Sequence, residues 1–360
     1  MKKITVLLAV ALLVMAVAAT GVFAQGGLTY QVGVQITNLS DSTASVNIAY
    51  YDQATGDLVA EFNVPDPGIL PGDDYTMVTL QGVEPGFNGS AVISSDQEIA
   101  AIANVCAGGV CPTGASYTAF SGGQSTLNLP LIMRGNSGFN TWFNVQNVGT
   151  EPTDVTVSYS NGASETATIN ANAARTFDQE DNADLPSGFV GSATVTSGGT
   201  TPIVATLIEV GPTTLLGYDS FDPVDASVSP IMPLVQANNS GYRTGIQIQN
   251  TSEDDVTVTV SYTPSQAGTA CTETHTIAGD SSSTFAYYAW HAETPPPTLQ
   301  NENCVNGERF IGSASVTGNP GEAALVAIVN QTNLDADKGA SYGAFNADSG
   351  TPKVTLPLIM

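Results

Sequence analysis

Residues 143–159 read FNVQNVGTEPTDVTVSY, and this stretch decides the fold class of the chain. Apolar and polar residues alternate over 143–147 and again over 155–159, and a segment containing Gly, Pro and Asp separates the two runs. A period of two is typical of a β-strand with one buried face, whereas Gly, Pro and Asp favour turns. The stretch therefore predicts two short strands joined by a loop.

The same pattern occurs three times along the chain. An alternating run ends at an Asn, and a second run ends at a Tyr 12 residues later in every copy. Two further motifs follow in the same order, F-x-G-S-A-x-[VI] with an apolar run after it, and then Y-x-x-F. The Asn–Tyr pairs are Asn38–Tyr50, Asn147–Tyr159 and Asn250–Tyr262; the second motif begins at Phe87, Phe189 and Phe310; the third is Tyr117/Phe120, Tyr218/Phe221 and Tyr342/Phe345. Ordered motifs at near-constant spacing predict three homologous units.

We name these units 1, 2 and 3 and predict that they span 25–128, 129–230 and 231–360. Each contains seven or eight short alternating runs with turn residues about every 8–12 positions, which is typical of an antiparallel β-sandwich. The predicted fold is all-β, with three tandem sandwiches. This architecture resembles the immunoglobulin-like modules of many secreted bacterial surface proteins. The resemblance covers the whole mature chain and implies no functional residues.

The N-terminus has the pattern of a secretory signal peptide. Lys2 and Lys3 precede a long apolar run, and Val22-Phe23-Ala24 is a small-x-small cleavage site, so cleavage is expected after Ala24. A retained membrane anchor is the alternative. No later stretch is long and apolar enough to span a bilayer. We therefore expect a secreted protein, extracellular or on the cell surface, with no membrane span in the mature chain.

The charge of the chain excludes several partners. Acidic residues number 33 and basic residues 8, for a net charge of −25. Loss of Lys2 and Lys3 leaves six basic residues (8 minus 2) and a charge of −27. Nucleic acids and anionic membrane surfaces would repel such a protein. We expect no nucleic-acid partner.

Four cysteines in an exported chain predict two disulfides. Cys106 and Cys111 lie close together and would staple a loop, whereas Cys271 and Cys304 would close a longer one. Unit 3 is longer than its siblings by an insertion between positions 262 and 310. The second disulfide would therefore hold this insertion in place.

The sequence lacks the motifs of common enzymes. There is no G-x-S-x-G elbow, P-loop, dinucleotide fingerprint, H-E-x-x-H or zinc-type cysteine pattern, and the chain has only two histidines. We therefore expect a protein that is not an enzyme and has no cofactor.

Two acidic clusters carry the hard oxygen ligands that calcium prefers. Neither matches a complete EF-hand loop, so solvated acidic loops are the other interpretation. The candidate ligands are Asp178, Glu180, Asp181, Asp184, Asp335 and Asp337.

An aromatic stretch in the insertion of unit 3 is a candidate ligand site. Tyr287, Tyr288, Trp290 and His291 could stack on sugar rings if they are exposed. The alternative is that these residues fill the core or contact a neighbouring unit.

A short apolar motif, which we call the string, also occurs three times. It reads NLPLIM at 128–133, IMPLV at 231–235 and TLPLIM at 355–360. In one interpretation each string is the last strand of the unit before it, and every unit is complete. In the other it is the first strand of the unit after it. Unit 1 then lacks this strand, because the same offset from its Asn falls on residues 20–24, within the signal peptide.

The second interpretation turns the last string into a donor strand. Its residues Leu356, Pro357, Leu358, Ile359 and Met360 would complete unit 1 of the next molecule by strand addition. A head-to-tail contact of this kind does not close on itself and builds a filament. The sequence thus leaves two functions open. One is a structural protein that polymerises with itself. The other is an adhesin or carbohydrate-binding array, which would bind surface proteins or glycans through the aromatic insertion.

Overall fold

The computed structural model describes residues 23–25, 28–84, 86–108, 112–291, 295–321 and 323–347. Strands make up 59% of the structure and helices 3%, and the strands form several antiparallel sheets. The predicted all-β sandwich class is therefore confirmed. The predicted cleavage site lies within the first strand, residues 1–22 lie outside the described residues, and so does the third string.

Six sheets follow one another along the chain in pairs. In unit 1 one sheet has the order β1-β2-β7-β8 with β5 also paired to β2, and the other has the order β4-β3-β6. The strands are β1 Phe23–Gln25, β2 Leu28–Asn38, β3 Val46–Asp52, β4 Leu58–Asn63, β5 Asp74–Met77, β6 Gly89–Ser95, β7 Ile99–Ala107 and β8 Thr113–Thr118.

Unit 2 consists of two four-stranded sheets, ordered β13-β10-β15-β16 and β12-β11-β14-β9. Its strands are β9 Thr126–Arg134, β10 Asn140–Asn147, β11 Thr153–Tyr159, β12 Ser164–Ile169, β13 Ala174–Asp178, β14 Phe189–Ser197, β15 Ile203–Val210 and β16 Leu215–Asp219. A 3-10 turn, Pro223–Asp225, follows.

Unit 3 has one sheet ordered β21-β18-β24-β25 and a six-stranded sheet ordered β22-β20-β19-β23-β17-β26. Its strands are β17 Pro230–Ala237, β18 Arg243–Asn250, β19 Val256–Ala267, β20 Cys271–Ile277, β21 Ser282–Phe285, β22 Gln300–Glu302, β23 Phe310–Asn319, β24 Leu325–Asn333, β25 Lys338–Gly343 and β26 Phe345–Asn346. The short helix α1, Tyr287–Trp290, and a 3-10 turn, Leu334–Ala336, complete the unit.

The two runs of the opening stretch, β10 and β11, lie in different sheets. The loop between them crosses from one layer of the sandwich to the other, and the Asn at the end of β10 organises this crossing. The Asn147 amide donates to the carbonyls of Glu151 at 2.8 Å and Ile169 at 3.0 Å, while its Oδ1 accepts from the N–H of Gly149 at 2.9 Å. The Asn residues of units 1 and 3 make equivalent contacts. Without the Asn side chain, these backbone N–H and carbonyl groups would lack hydrogen-bond partners in the loop. This explains why the Asn recurs in all three units.

Each pair of sheets encloses an apolar core. In unit 2, Phe143 of one sheet and Val157 of the other belong to the same buried cluster, and units 1 and 3 have equivalent clusters. The alternation read from the sequence is the cause, because every second side chain of a strand points to the same face.

The first two strings lie in β9 and β17, and each is the first strand of the unit that follows it. Leu129 lies opposite Ala193 of β14, and Met232 lies opposite Ala314 of β23. The interpretation in which a string closes the preceding unit is therefore wrong for these two copies. Both ladders shift register beside the Pro of the string. Pro cannot donate a ladder hydrogen bond, and a bulge accommodates it.

The disulfide predicted within the insertion of unit 3 is confirmed. Cys271 and Cys304 are bonded, with their Cα atoms 4.9 Å apart. Cys106 is also disulfide-bonded. Its predicted partner, Cys111, lies outside the described residues, so that pairing stays a prediction.

Candidate functional site

Within the described residues, one sheet of unit 1 has no strand at a position that is filled in the equivalent sheets of units 2 and 3. In unit 2 the string strand β9 lies beside β14, and in unit 3 β17 lies beside β23. The corresponding strand in unit 1 is β6, and within the described part of the chain β6 pairs only with β3. The other edge of β6 is therefore an open strand position, which we call the slot.

The slot exposes residues that are buried elsewhere. Ala193 and Ala314, which lie opposite the string strands, are 1% and 2% exposed, whereas their counterpart Ala91 is exposed. Ile93 is half-buried, although its counterparts in units 2 and 3 are completely buried. The motif residues are the same, so the missing strand accounts for the difference. An edge of this kind invites pairing with another strand.

The tyrosine of the Y-x-x-F motif bonds to the string on the edge opposite the strand ladder. The hydroxyl of Tyr218 donates to the carbonyl of Leu131 at 2.8 Å and accepts from the N–H of the same residue at 3.1 Å. Tyr342 makes the same two contacts with Leu234. Both contacts fall next to the string proline, where the ladder is interrupted. They satisfy backbone groups that the bulge leaves without strand partners.

The phenylalanine of Y-x-x-F also holds the string. Asn128 and Phe221 exchange two backbone hydrogen bonds, of 2.9 and 3.0 Å. In unit 3, Phe345 pairs with Ile231 in the same way. The string thus runs between the strand of the F-x-G-S-A-x-[VI] motif on one side and the Y-x-x-F segment on the other. This explains why these two motifs recur together with the string.

Unit 1 also has the Y-x-x-F segment beside the slot, although none of the described strands occupies the slot. Tyr117 lies opposite Ala103, in the register that Tyr218 occupies opposite Leu207. Its hydroxyl makes no hydrogen bond to any described residue, and burial, together with the nearby Asp219 carboxylate, raises its pKa to about 12. Phe120 is exposed. Unit 1 therefore has the tyrosine and phenylalanine that hold a string in units 2 and 3, and no string lies beside them within the described residues.

One contact of the complete units is absent from the slot. The hydroxyl of Thr141 donates to the carbonyl of Met133 and accepts from its N–H, and Thr244 does the same with Gln236. Unit 1 carries Val32 at this position. The slot therefore offers the tyrosine clamp but no threonine clamp at the end of the string.

The aromatic candidates in unit 3 do not form an exposed platform. Trp290 is 1% exposed, and its ring packs between Phe310, at 4.6 Å, and Tyr262, at 4.7 Å between centroids. Trp290 is therefore a core residue. The remaining candidates lie beside it on or next to α1, one exposed and two half-buried: Tyr287, Tyr288 and His291. Sequence alone could not separate these environments, because aromatic side chains serve both cores and binding surfaces.

The acidic candidates do not converge. Among the described residues, no three His, Cys, Asp or Glu side chains are close enough together to hold a metal ion. Five of the six carboxylates are exposed and the sixth is half-buried; they are Asp178, Glu180, Asp181, Asp184, Asp335 and Asp337. Calcium binding therefore gains no support from the described structure.

A buried acid between units 2 and 3 is not evident from the sequence. Glu209 is completely buried, and the amide of Asn330 donates to its Oε2 at 2.7 Å. Burial raises the pKa of Glu209 to about 8. The available sequence signal is a single acid within the apolar run IVATLIEV.

No protein family matches the chain, and no curated protein resembles it closely enough to count as a match. Within the described residues, no helix is long and apolar enough to cross a membrane. The functional argument therefore rests on the slot and on the packing between units.

Proposed function

We propose that this protein is a secreted structural protein, not an enzyme, that polymerises head to tail outside the cell. Residues 355–360 of one molecule would enter the slot of the next as a donor strand. The observation that carries the proposal is the open edge of β6, at the position that β9 and β17 fill in units 2 and 3. Strand addition to a sheet edge is an established mode of protein association.

The two filled copies define the register of the donated strand. Leu129 lies opposite Ala193, and the corresponding pair in the filament is Leu356 opposite Ala91. By the same rule Ile359 lies opposite Gly89. Pro357 lies at the bulge, where no ladder hydrogen bond is required of it.

The Y-x-x-F segment of unit 1 completes the proposed contact. The N–H and carbonyl of Leu358 would bond to the hydroxyl of Tyr117, as Leu131 bonds to Tyr218. Thr355 would exchange backbone hydrogen bonds with Phe120, as Asn128 does with Phe221. Residues 355–360 themselves lie outside the described residues, so the structural support comes from the acceptor.

Several features support a structural protein over the alternatives. The sequence combines a predicted signal peptide with tandem β-sandwiches, an arrangement similar to that of bacterial surface modules, and it lacks enzyme motifs. The adhesin alternative depended on the aromatic insertion, and the burial of Trp290 removes the central ring of that site. No observation favours that alternative now.

The test is to block the donor strand in the mature chain, residues 25–360. A chain with Leu356→Asp and Ile359→Asp, which we call the donor-blocked chain, would place charges in an apolar slot. We expect wild-type protein to form fibres visible by electron microscopy and the donor-blocked chain to sediment as a monomer. A synthetic KVTLPLIM peptide should then raise the melting temperature of the donor-blocked chain, because it binds only the folded slot.

The matched control is Asp at an exposed position of similar character outside the slot, Val305→Asp, which should still polymerise. A wild-type protein that is monomeric at all concentrations would contradict the proposal. So would a donor-blocked chain that keeps its fibres.

A further inference from the structure

We infer that unit 1 carries a second docking surface, on the face of β7 and β8 that points away from its own core, and that unit 3 of another copy of this chain docks there. The inference rests on the proposed head-to-tail order. It is carried by a different observation, which is the packing of unit 2 against unit 3.

Unit 3 contacts unit 2 partly through two polar side chains of β24 and β25. Asn330 donates to the buried carboxyl of Glu209 at 2.7 Å. The hydroxyl of Ser341 accepts from the N–H of Gly217 at 3.1 Å and donates to the carbonyl of the same residue. These contacts fix how the two units meet.

The same face of unit 3 makes two apolar contacts. Ile328 is completely buried and belongs to the core cluster of unit 2. Leu216 packs directly on Gly339, because a Cβ at Gly339 would lie only 2.6 Å from Leu216 Cδ2. This position requires the small residue for close approach.

We call the face of β24 and β25 that contacts unit 2 the receiving face. Unit 1 carries the same contact residues on the equivalent face of β7 and β8. The strand pairing Ile102–Thr118 of β7 and β8 corresponds to Ile328–Gly343 of β24 and β25. In this register the four contact residues of unit 3 are matched by identical residues in unit 1, namely Ile102, Asn104, Gly114 and Ser116. Unit 2, which receives unit 1 instead, has four different residues there, namely Thr206, Ile208, Leu215 and Gly217.

Within the described residues, the receiving face of unit 1 is largely uncovered. Asn104, Gly114 and Ser116 are exposed, and Ile102 is half-buried. A Cβ at Gly114 would meet only atoms of Val105 and Cys106 within unit 1. Gly114 therefore leaves the same room for a neighbouring unit that Gly339 leaves for Leu216.

Unit 3 presents the complementary surface. Leu131 of unit 2 is 6% exposed, whereas its counterpart Leu234 in unit 3 is 44% exposed. Phe345 is 56% exposed, although its counterpart Phe221 packs against Gly343 of unit 3. Unit 3 covers these apolar residues in unit 2, whereas the equivalent residues of unit 3 are exposed. Exposed apolar patches of this kind indicate interaction sites.

The repeated register makes a second copy the occupant. Unit 1 offers the receiving face and the slot, while unit 3 offers the uncovered face and is followed by the third string. Docking unit 3 on unit 1 would repeat the contact between units 2 and 3 and deliver the string to the slot. Three contact positions differ, because unit 3 carries Gln331, Ala340 and Ser341 where unit 2 carries Glu209, Leu216 and Gly217. Gln331 is uncharged, and its carboxamide bonds to Thr244 and to the carbonyl of Leu234 within unit 3.

The experiment places a charge on each face of the full mature chain. Asn104→Arg changes the receiving face and Leu234→Asp the presenting face. We expect each to raise the critical concentration for polymers about tenfold or more, since a buried unpaired charge is costly. The matched control is Asn306→Arg, an exposed asparagine in the insertion of unit 3, which should leave the critical concentration unchanged.

Two further measurements separate this inference from the strand donation on which it rests. KVTLPLIM binding to the donor-blocked chain should be the same with and without Asn104→Arg, because the peptide occupies only the slot. If donor blocking abolishes polymers but neither face variant changes them, the docking surface is overturned and strand donation stands. If donor blocking has no effect, the proposed function itself fails.

A contact within one molecule is the remaining alternative, because Ile102 and Phe345 border the same cleft where the units converge. Melting of the donor-blocked chain distinguishes it. Unchanged melting temperatures for Asn104→Arg and Leu234→Asp are expected for a contact between molecules. A drop in either would place the contact inside the monomer and overturn the inference.

Discussion

The sheet β4-β3-β6 of unit 1 and the sheet β12-β11-β14-β9 of unit 2 are built from the same motifs and differ by one strand. Gly-Ser-Ala occurs in β6 and in β14, yet Ala91 is exposed and Ala193 is buried. The comparison shows that the Gly-Ser-Ala residues lie beside the position that a string strand can occupy. The string decides whether the position is filled.

The same comparison applies to the tyrosine of the Y-x-x-F motif. Tyr117 and Tyr218 share one register, but only Tyr218 finds backbone partners among the described residues. Among the described residues, unit 1 thus has the tyrosine of an acceptor site but no string strand beside it. In the proposed filament the strand comes from the next molecule. The free energy by which the string stabilises the folding of unit 2 would, at unit 1, stabilise the association of two molecules.

The largest expected effect comes from making unit 1 like unit 2. Joining a copy of residues 126–138 directly to Tyr30 would place a string before unit 1 at the spacing found in unit 2. The added strand should stabilise unit 1 by several kcal/mol, at about 1.5–3 kcal/mol for each large apolar side chain that becomes fully buried. It should also abolish polymers, because the slot is filled. Calorimetry and electron microscopy check the two results, and fibres that persist in this chimera would contradict the comparison.

The next effect contrasts equivalent leucines in a filled and a donated string. Leu129→Ala should destabilise unit 2 by about 2–5 kcal/mol, because the side chain is completely buried. Leu356→Ala should leave the unfolding of the monomer unchanged and weaken the polymer. Urea denaturation below the critical concentration measures the first quantity, and sedimentation measures the second. Equal destabilisation of both monomers would mean that the last string closes a unit of its own molecule.

A smaller effect concerns the tyrosine clamp. Tyr218→Phe should cost unit 2 about 1–3 kcal/mol, because a buried N–H and carbonyl lose their partner. Tyr117→Phe should leave the donor-blocked monomer unaffected but weaken KVTLPLIM binding by about five- to tenfold, as expected for a net loss near 1 kcal/mol. Tyr75→Phe removes a hydroxyl elsewhere in unit 1 and serves as the control. Isothermal titration measures the peptide affinity, and identical affinities for all three chains would rule out the clamp.

A further effect distinguishes unit 2 from unit 3 through pH. Glu209 is protonated in the folded protein up to about pH 8, whereas an unfolded Glu titrates near 4.5. Between these values the folded state binds more protons, so stability should fall as pH rises from about 4.5 to 8 and level off above. Glu209→Gln mimics the neutral acid and should remove this part of the slope in melting temperature. The part due to Glu273, whose pKa burial raises to about 7, should remain.

The strands, their repetition and the Cys271–Cys304 bond could be predicted from the sequence, because alternation and spacing are local properties. The environment of Trp290 could not, since an aromatic run in an insertion suits a core as well as a surface. The Asn at the end of the first repeated strand was visible as a pattern, but its three backbone contacts join residues up to 31 positions apart. The receiving face was not visible at all, because it is defined only by contacts between units.

The sequence by itself determined that the chain has three units and three strings and that the strings are displaced by one place. It could not determine which neighbour each string joins, because a string lies between two units and its apolar residues suit the edge of either sheet. Only the tertiary structure decided this for the first two strings. Each string forms a ladder with β14 or β23 on one side and bonds to the hydroxyl of Tyr218 or Tyr342 on the other. Leu129 and Met232 are completely buried in the following unit. Such long-range pairing is invisible to local pattern, and it is what leaves β6 without its strand.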